Sequence, residues 1–216
     1  MIKKLFCLIK SIYLNYAINF FSLNILVISL YLFDFKKLVN ETALLASFVI
    51  LICQIFSGNS RTLVLASKNF INADDVITLR LLFLFPIIIF SLIFVYVYDF
   101  SDISFASSII FLVLSQWVYE IYLSKQEINS KKIIYRHFLF SFVTFFLVLL
   151  SLYLHSIFFL KIIIFVYSII IFYFSISYLL RSKTSIPKIF IDIKSLFKIL
   201  IFSSYGSSLS IAVSNF

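Results

Sequence analysis

The residues of this chain that offer the most chemistry are polar side chains that interrupt long apolar runs. Asn15, Asn19 and Asn24 lie in the first such run, and Asn15 and Asn19 are one helical turn apart. Amide groups of this kind are costly in lipid and usually face a cavity or a partner. Two interpretations stay open: hydrogen bonds between helices, or a hydrophilic stripe that lines a cavity for a polar substrate.

A second polar set closes the next apolar run, in the segment ICQIFSGNSRTLVLAS. Gln54, Ser57 and Arg61 are spaced three and four residues apart, so they share one helical face. The guanidinium of Arg61 can neutralise an acidic partner, or its side chain can extend toward the lipid headgroups.

The acidic candidate is Glu120, in the segment SQWVYEIYLSKQE, with Gln116 one turn before it. An ion pair between Arg61 and Glu120 would neutralise both charges, and burying either charge alone costs roughly several kcal/mol. We advance this contact as a hypothesis. Trp117 and Tyr119 offer an alternative, in which the stretch anchors the helix among the headgroups.

Motifs of soluble enzymes are absent from the sequence, including Gly-rich phosphate loops and the signatures of serine and zinc hydrolases. His137 and His155 fall on opposite sides of the predicted membrane, so they cannot form one site. Cys7 and Cys53 lack metal-ligand spacing, and we expect both to behave as small buried apolar residues. We therefore predict no catalytic residue, no metal site and no cofactor.

Composition places the chain in the membrane. It has 216 residues, of which 63% are apolar and only 12% charged, whereas soluble domains are about one-quarter charged. Its net charge of +9 comes from basic residues in short groups between apolar runs. That distribution is typical of topology signals and argues against nucleic acid as a partner.

Several apolar runs approach or exceed the roughly 18–20 residues that a membrane-spanning helix requires. We predict an all-α fold, a polytopic membrane protein with a six-helix bundle and the start of a seventh helix. The predicted spans are residues 11–33, 42–60, 79–98, 103–123, 138–154 and 157–180, with a seventh from residue 196 onward.

The basic residues predict the orientation of these spans. Fifteen lysines and arginines fall in alternate connecting segments, with Arg80 counted in the loop before the third span, and the opposite loops hold three. By the positive-inside rule the N-terminus is cytoplasmic. We expect the membrane to be the cytoplasmic (inner) membrane. The outer loops, at 34–41, 99–102 and 155–156, are too short to form a domain.

Three regions follow from this pattern. Residues 1–183 form the predicted bundle, 184–195 a cytoplasmic interfacial linker, and 196–216 the start of a second bundle. In IPKIFIDIKSLFKILIF the apolar residues recur at helical spacing opposite the lysines, which predicts an interfacial helix. A long cytoplasmic start to the seventh helix fits equally well.

Several segments resemble the O-antigen and polysaccharide flippases, of the multidrug/oligosaccharidyl-lipid/polysaccharide exporter superfamily. They are FSGNSRTLVLAS, ITLRLLFLFPIII and LSQWVYEIYLSKQE. In that family an arginine often closes the second helix, Arg-Leu opens the third, and W-x-x-E closes the fourth. The matching residues are Arg61, Arg80 with Leu81, and Trp117 with Glu120. The entry to the seventh helix is also similar, although Gly206-Ser207-Ser208 stands where the family usually has Gly-x-Pro.

The resemblance implies alternating access and two bundles around a cavity, of which this chain would supply one. We expect a partial chain that works with a second half-transporter chain or as a homodimer. Its cargo would be a polyprenyl-pyrophosphate-linked glycan, with the lipid tail in the membrane. The implied cavity residues include Arg61 and Arg80, which could attract pyrophosphate; both could instead be topology charges.

Two other functions are compatible with the sequence. A membrane glycosyltransferase or polysaccharide polymerase would use acids of the outer loops, namely Asp34, Glu41, Asp99 and Asp102. An exporter of small molecules from the same superfamily would share the fold and carry a different cargo.

Overall fold

The computed structural model describes residues 23–57, 73–129 and 131–181 of the chain. Within these ranges the secondary structure is helical throughout, without strands, which confirms the predicted all-α fold for this part. The predicted interfacial and seventh helices lie outside the described residues. The helices are α1 Leu23–Leu32, α2 Lys36–Ser57, α3 Ala73–Val97, α4 Ile103–Asn129, α5 Lys131–Tyr153 and α6 Ile157–Arg181.

Four of these helices are long and apolar enough to cross a membrane. The segments are Lys36–Phe56, Ala73–Val97, Ile103–Ser124 and Ile157–Leu180. The described part of α1 and the segment Phe138–Tyr153 of α5 are apolar but shorter. By helix length and composition the chain is a membrane protein.

Several predicted helix boundaries are wrong, because the helices extend beyond the apolar runs. α2 begins at residue 36 instead of 42, α3 at 73 instead of 79, and α5 at 131 instead of 138, while α4 continues to 129 instead of 123. Once a helix is nucleated, each added residue gains a backbone hydrogen bond, so polar flanks continue it. Arg80, grouped above with the preceding loop for the charge count although the predicted span begins at 79, lies two turns inside α3.

The helices form a ring of five around one central helix. α1 packs on α2, α2 on α3, α3 on α6, α6 on α5, and α5 closes the ring on α1. α4 fills the middle and contacts α2, α3, α5 and α6. This position explains why α4 is buried on nearly every side, from Phe105 to Ser124.

The outer faces of the bundle are apolar, unlike those of a soluble protein, and its largely apolar interior also holds small polar residues. The outward faces of α3, α5 and α6 are apolar, for example at Phe85, Phe146 and Phe158, while the interior contains many serines. Ser91 and Ser168 donate to the backbone carbonyls of the fourth preceding residues, at 2.7 Å each. Small, self-satisfied hydroxyls let helices approach closely in a bilayer, where apolar contact with a neighbour has no advantage over lipid.

Three connections between helices are tight turns of one geometry. Asp34, Asp99 and His155 have φ values of 61°, 49° and 50°, in the left-handed region. The next residue of each turn donates its N–H to the carbonyl five residues earlier; for Phe35 and Leu30 the distance is 3.0 Å. This is the Schellman motif, which ends a helix and reverses the chain within a few residues.

Exposed tyrosines ring the bundle just before these turns. Tyr31 and Tyr96 lie in the last turns of α1 and α3, Tyr98 directly follows α3, and Tyr153 ends α5; all four are exposed. Tyrosine is enriched where the apolar core of a membrane meets its headgroups. The turns therefore lie at one membrane surface.

Candidate functional site

The first two turns of α3 are enclosed by the bundle, unlike the rest of that helix. Val76, Ile77 and Leu79 are buried, and so are the charged residues Asp75 and Arg80. α3 contacts α2, α4 and α6. The positively charged Arg80 side chain is therefore enclosed by protein and does not face the lipid.

Arg80 meets the fourth helix at the segment that also carries Trp117 and Glu120. Its Nη1 donates to the backbone carbonyl of Trp117 and to Oε2 of Glu120, the latter at 3.3 Å. Its Cζ lies over the Trp117 ring, 4.9 Å from the centroid. The Arg80 side chain is 3% exposed and that of Glu120 is 38% exposed.

These contacts solve the problem that a buried guanidinium presents. Arginine stays protonated in proteins, so burying Arg80 requires compensation by other groups. The Glu120 carboxylate balances the charge, the carbonyl of Trp117 accepts a hydrogen bond, and the indole face attracts the cation. The more exposed Glu120 is the partner that solvent or a ligand can reach.

The depth of this contact follows from the α3–α4 hairpin. Arg80 lies 17 residues before Val97 (97 − 80), and Glu120 lies 17 residues after Ile103 (120 − 103). At about 1.5 Å per residue, each is about 26 Å from the turn. Because the apolar core of a bilayer is about 30 Å thick, the pair lies near the membrane surface opposite the turns.

The surroundings of the pair include a thiol and an amide. Cys53 of α2 is buried and free, and its thiol is within electrostatic range of Arg80. Gln116, one turn before Glu120, is half-buried. Gln54 is exposed although the adjacent Cys53 is buried, so the structure does not bring Gln54 to Arg80.

A second polar contact lies at the same end of the bundle. The hydroxyl of Tyr178, near the end of α6, lies within electrostatic range of the Asp74 carboxylate at the start of α3. Tyr178 also packs against Tyr122 of α4, with ring centroids 5.4 Å apart. Carboxylates in the first turn of a helix are favoured by the helix dipole. These interactions link the ends of α3, α4 and α6 that lie opposite the turns.

At the opposite end, the turns themselves are joined by polar contacts. Glu41 accepts hydrogen bonds from the Ser101 hydroxyl at 2.8 Å and from its backbone N–H at 3.3 Å. The Lys161 Nζ pairs with Oδ2 of Asp102 at 2.6 Å and donates to the Ser104 hydroxyl at 2.7 Å. These contacts connect α2 and α6 to the α3–α4 turn.

Asp102 also caps the start of α4, because its Oδ1 accepts the backbone N–H of Phe105 at 2.9 Å. Partial burial raises the pKa of the Asp102 carboxyl. The hydrogen bonds from Lys161, Phe105 and Ser104 outweigh that effect and lower the pKa to about 2. Asp102 is therefore ionised at any physiological pH.

The predicted site residues fall into three groups. Arg80, Gln116 and Glu120 lie at or next to the contact between α3 and α4, whereas Gln54 is exposed away from it. Asn15, Asn19 and Arg61 lie outside the described residues, so the Arg61–Glu120 hypothesis stays a prediction.

Trp117 and Tyr119 are buried inside the bundle, at 8% and 6% exposure. An anchor in the headgroup region has to face outward, because it must contact lipid. The structure therefore favours a packing role for both residues over the anchoring alternative.

Sequence reasoning missed three contributors to these contacts: the Asp74–Tyr178 contact, the buried Asp75, and the pairing of Lys161 with Asp102. Two adjacent carboxylates directly before an apolar run were the available signal for the first two. Lys161 interrupts an apolar run four residues after a turn, which was the signal for the third.

Comparison of the chain with models of known protein families, with curated proteins and with solved structures found no match. Within residues 23–57, 73–129 and 131–181, no group of three or more His, Cys, Asp or Glu residues is placed to hold a metal ion.

Proposed function

We propose that the chain is part of a flippase that exports a lipid-linked oligosaccharide or polysaccharide precursor across the cytoplasmic membrane. The observation that carries the proposal is the contact of Arg80 with Trp117 and Glu120. The three residues come from two separate segments that resemble the polysaccharide flippases. If these two segments share a functional role, they must lie close together, and in this bundle they are in contact.

The chemistry of the pair suits a cargo that carries pyrophosphate. An arginine fork matches the oxygens of phosphate as well as those of carboxylate. A phosphate group that enters beside the half-exposed Glu120 can replace that carboxylate as the partner of Arg80. The apolar outer faces of the bundle allow the polyprenyl tail of such a cargo to remain in the lipid.

A cavity for the glycan requires more than this bundle, because α4 fills the centre of the ring. We propose that a second bundle faces this one and that the cargo passes between them. The second bundle belongs either to the same polypeptide, to a partner half-transporter or to another copy of this chain. The half-exposed Glu120 would then face the space between the bundles.

We propose further that the N-terminus is cytoplasmic, so that the tyrosine-ringed turns lie outside. The Arg80–Glu120 pair is then at the inner membrane surface, where lipid-linked precursors are loaded. A cysteine in place of Asp99 should react with an impermeant thiol reagent in intact cells. A cysteine in place of Arg61 should react only after permeabilisation, and the reverse pattern would contradict the orientation.

The structure gives less support to a polymerase or glycosyltransferase of the outer surface. Glu41 and Asp102 accept hydrogen bonds that join helices, and Asp34 and Asp99 occupy the left-handed positions of turns. A catalytic acid of a glycosyltransferase has to be available to its substrate. Glu41 and Asp102 thus connect helices to the α3–α4 turn, and Asp34 and Asp99 shape the turns in which they lie.

Reconstitution tests the proposed function. Proteoliposomes that contain the chain, together with any second half it requires, should translocate a fluorescent polyprenyl-pyrophosphate oligosaccharide. Arg80→Gln removes a charge-assisted hydrogen bond of about 1.5–3 kcal/mol and should slow transport about tenfold or more. Lys37→Gln is the matched control, because Lys37 is an exposed cation near the turns. Equal transport by protein-free vesicles, or equal rates for Arg80→Gln and the wild type, would sink the proposal.

A further inference from the structure

The two ends of the bundle are held together in different ways. At the turn end, Glu41 joins α2 to Ser101, and Lys161 joins α6 to Asp102. The third side is closed by the ring of His155 against that of Phe35, 5.7 Å between centroids. The three turns are thus connected in a closed triangle, which we name the clasp.

We expect the clasp to be the rigid end of the bundle. Each turn reverses the chain within a few residues and uses backbone hydrogen bonds that no side-chain movement can release. Its polar contacts join three different hairpins, so separating any two of them breaks at least one contact. α3 is further held at this end by its buried residues Ser91 and Val95.

Between the clasp and Arg80, α3 contains a weak point. Pro86 lies inside the helix and has no N–H to donate to the carbonyl of Leu82, so the helix lacks one backbone hydrogen bond there. Just beyond it, the Ser91 hydroxyl bonds the carbonyl of Ile87 at 2.7 Å, a pattern that bends helices. Proline positions are the usual sites of helix kinks.

We propose that α3 is hinged at Pro86, with its outer half fixed by the clasp, and that its enclosed inner half can swing away from α4. The Arg80–Glu120 ion pair holds the inner half in the closed state. A change in the partner of Arg80 would release this contact while the clasp keeps the bundle assembled. The inference concerns movement alone and does not depend on the identity of the cargo.

Cys53 provides a native reporter for this movement. It is 3% exposed and lies on α2, which packs against α3, so we expect displacement of the inner half of α3 to uncover its thiol. A second reporter is Val95→Cys, since Val95 is 4% exposed on the outer half of the same helix. Cys7→Ser in both backgrounds, and Cys53→Ala in the second, leave one thiol for each measurement.

The experiment measures the rate at which a membrane-permeant maleimide labels each reporter in the full-length, membrane-embedded chain. Glu120→Gln should raise the labelling rate of Cys53 about tenfold, as expected from loss of a charge-assisted hydrogen bond. The rate at Val95→Cys should not change. Adding Pro86→Ala should restore slow labelling of Cys53, and Pro86→Ala alone should lower its basal rate.

Three outcomes overturn the proposal. An unchanged Cys53 rate in Glu120→Gln shows that the pair does not hold the closed state. Equal acceleration at Val95→Cys shows general loosening or unfolding instead of a hinge. Failure of Pro86→Ala to slow Cys53 labelling, in the wild type and in Glu120→Gln, places the movement elsewhere.

Discussion

Arg80 and Glu120 form an ion pair at 3.3 Å between α3 and α4, and they are symmetric about the turn that joins the two helices. Each lies 17 residues from the turn end of its helix, at Val97 and Ile103 respectively. In an antiparallel hairpin, residues equally far from the turn lie at the same depth. The pair is therefore a consequence of hairpin geometry as much as of charge.

Arg80→Lys should destabilise the closed bundle even though it keeps the charge. Lysine lacks the planar fork and stacks less well on Trp117, so we expect a loss of about 1–2 kcal/mol, seen as a lower Tm in detergent. Lys161→Arg at the more exposed Asp102 pair is the control and should change stability by less than about 0.5 kcal/mol. Equal effects at the two sites would show that the Trp117 contact is unimportant.

The Asp102–Lys161 pair of the clasp should be insensitive to pH over the physiological range. The pKa of Asp102 is about 2 in the folded chain against an ordinary value of 3.8. Because the folded pKa is depressed, the stabilisation is present above pH 3.8 and is lost as the pH falls through about 2. Solvent screens the pair, so the effect should be about 0.2–1 kcal/mol.

Asp102→Asn tests this pH dependence. Acid unfolding of the variant, followed by circular dichroism between pH 5 and pH 2, should lack the part of the destabilisation that Asp102 contributes. A wild-type stability that already falls between pH 7 and pH 5 through Asp102 would contradict the assignment.

The left-handed turn positions should tolerate only certain residues. Asp99→Gly or Asp99→Asn should leave thermal stability nearly unchanged, because both residues adopt positive φ readily. Asp99→Val should cost about 1–2 kcal/mol, since a β-branched side chain clashes in that region. The same three changes at Ser101, outside the left-handed region, provide the control; a similar ranking there would contradict the backbone explanation.

The outward face of α3 should behave as a lipid-facing surface. Phe85 is exposed and lies 12 residues from Val97 (97 − 85), about 18 Å from the turn and hence near mid-bilayer. Phe85→Asp should oppose insertion by about 2.5–3.5 kcal/mol, lowering the fraction recovered in carbonate-washed membranes. Tyr98→Asp, beside the turn, should have little effect. Equal recovery of the two variants would contradict the proposed membrane position.

For the part of the chain that the structure describes, the sequence was sufficient to predict that the helices exist, but not how they are arranged. Apolar runs and breaks at 33–35, 98–102 and 154–156 locate each described helix, because a membrane span must satisfy its backbone internally. The ends were misplaced where polar residues continue a helix, as at Lys36 and Asp74. The central position of α4 results from packing between helices. The hydropathy of a single apolar run carries no information about which helices pack together.

The site was predictable only in part, because the sequence indicates the depth of a residue in the membrane but not its partner on another helix. Glu120 was expected to need a basic partner at its depth, and Arg61 was chosen because it shares that depth. Arg80 had been counted as a loop residue, so it was not considered as the partner, although its distance from the α3–α4 turn matches that of Glu120. The contact of Tyr178 with Asp74 joins residues about 100 positions apart, and it requires the three-dimensional structure.

A double-mutant cycle at Arg80 and Glu120 tests the central claim most directly. Unfolding free energies are measured for the wild type, Arg80→Gln, Glu120→Gln and the double variant in the same detergent. Direct pairing predicts a coupling energy of about 1.5–3 kcal/mol. Additivity within about 0.3–0.5 kcal/mol, the usual result for residues that do not interact, would contradict the pair.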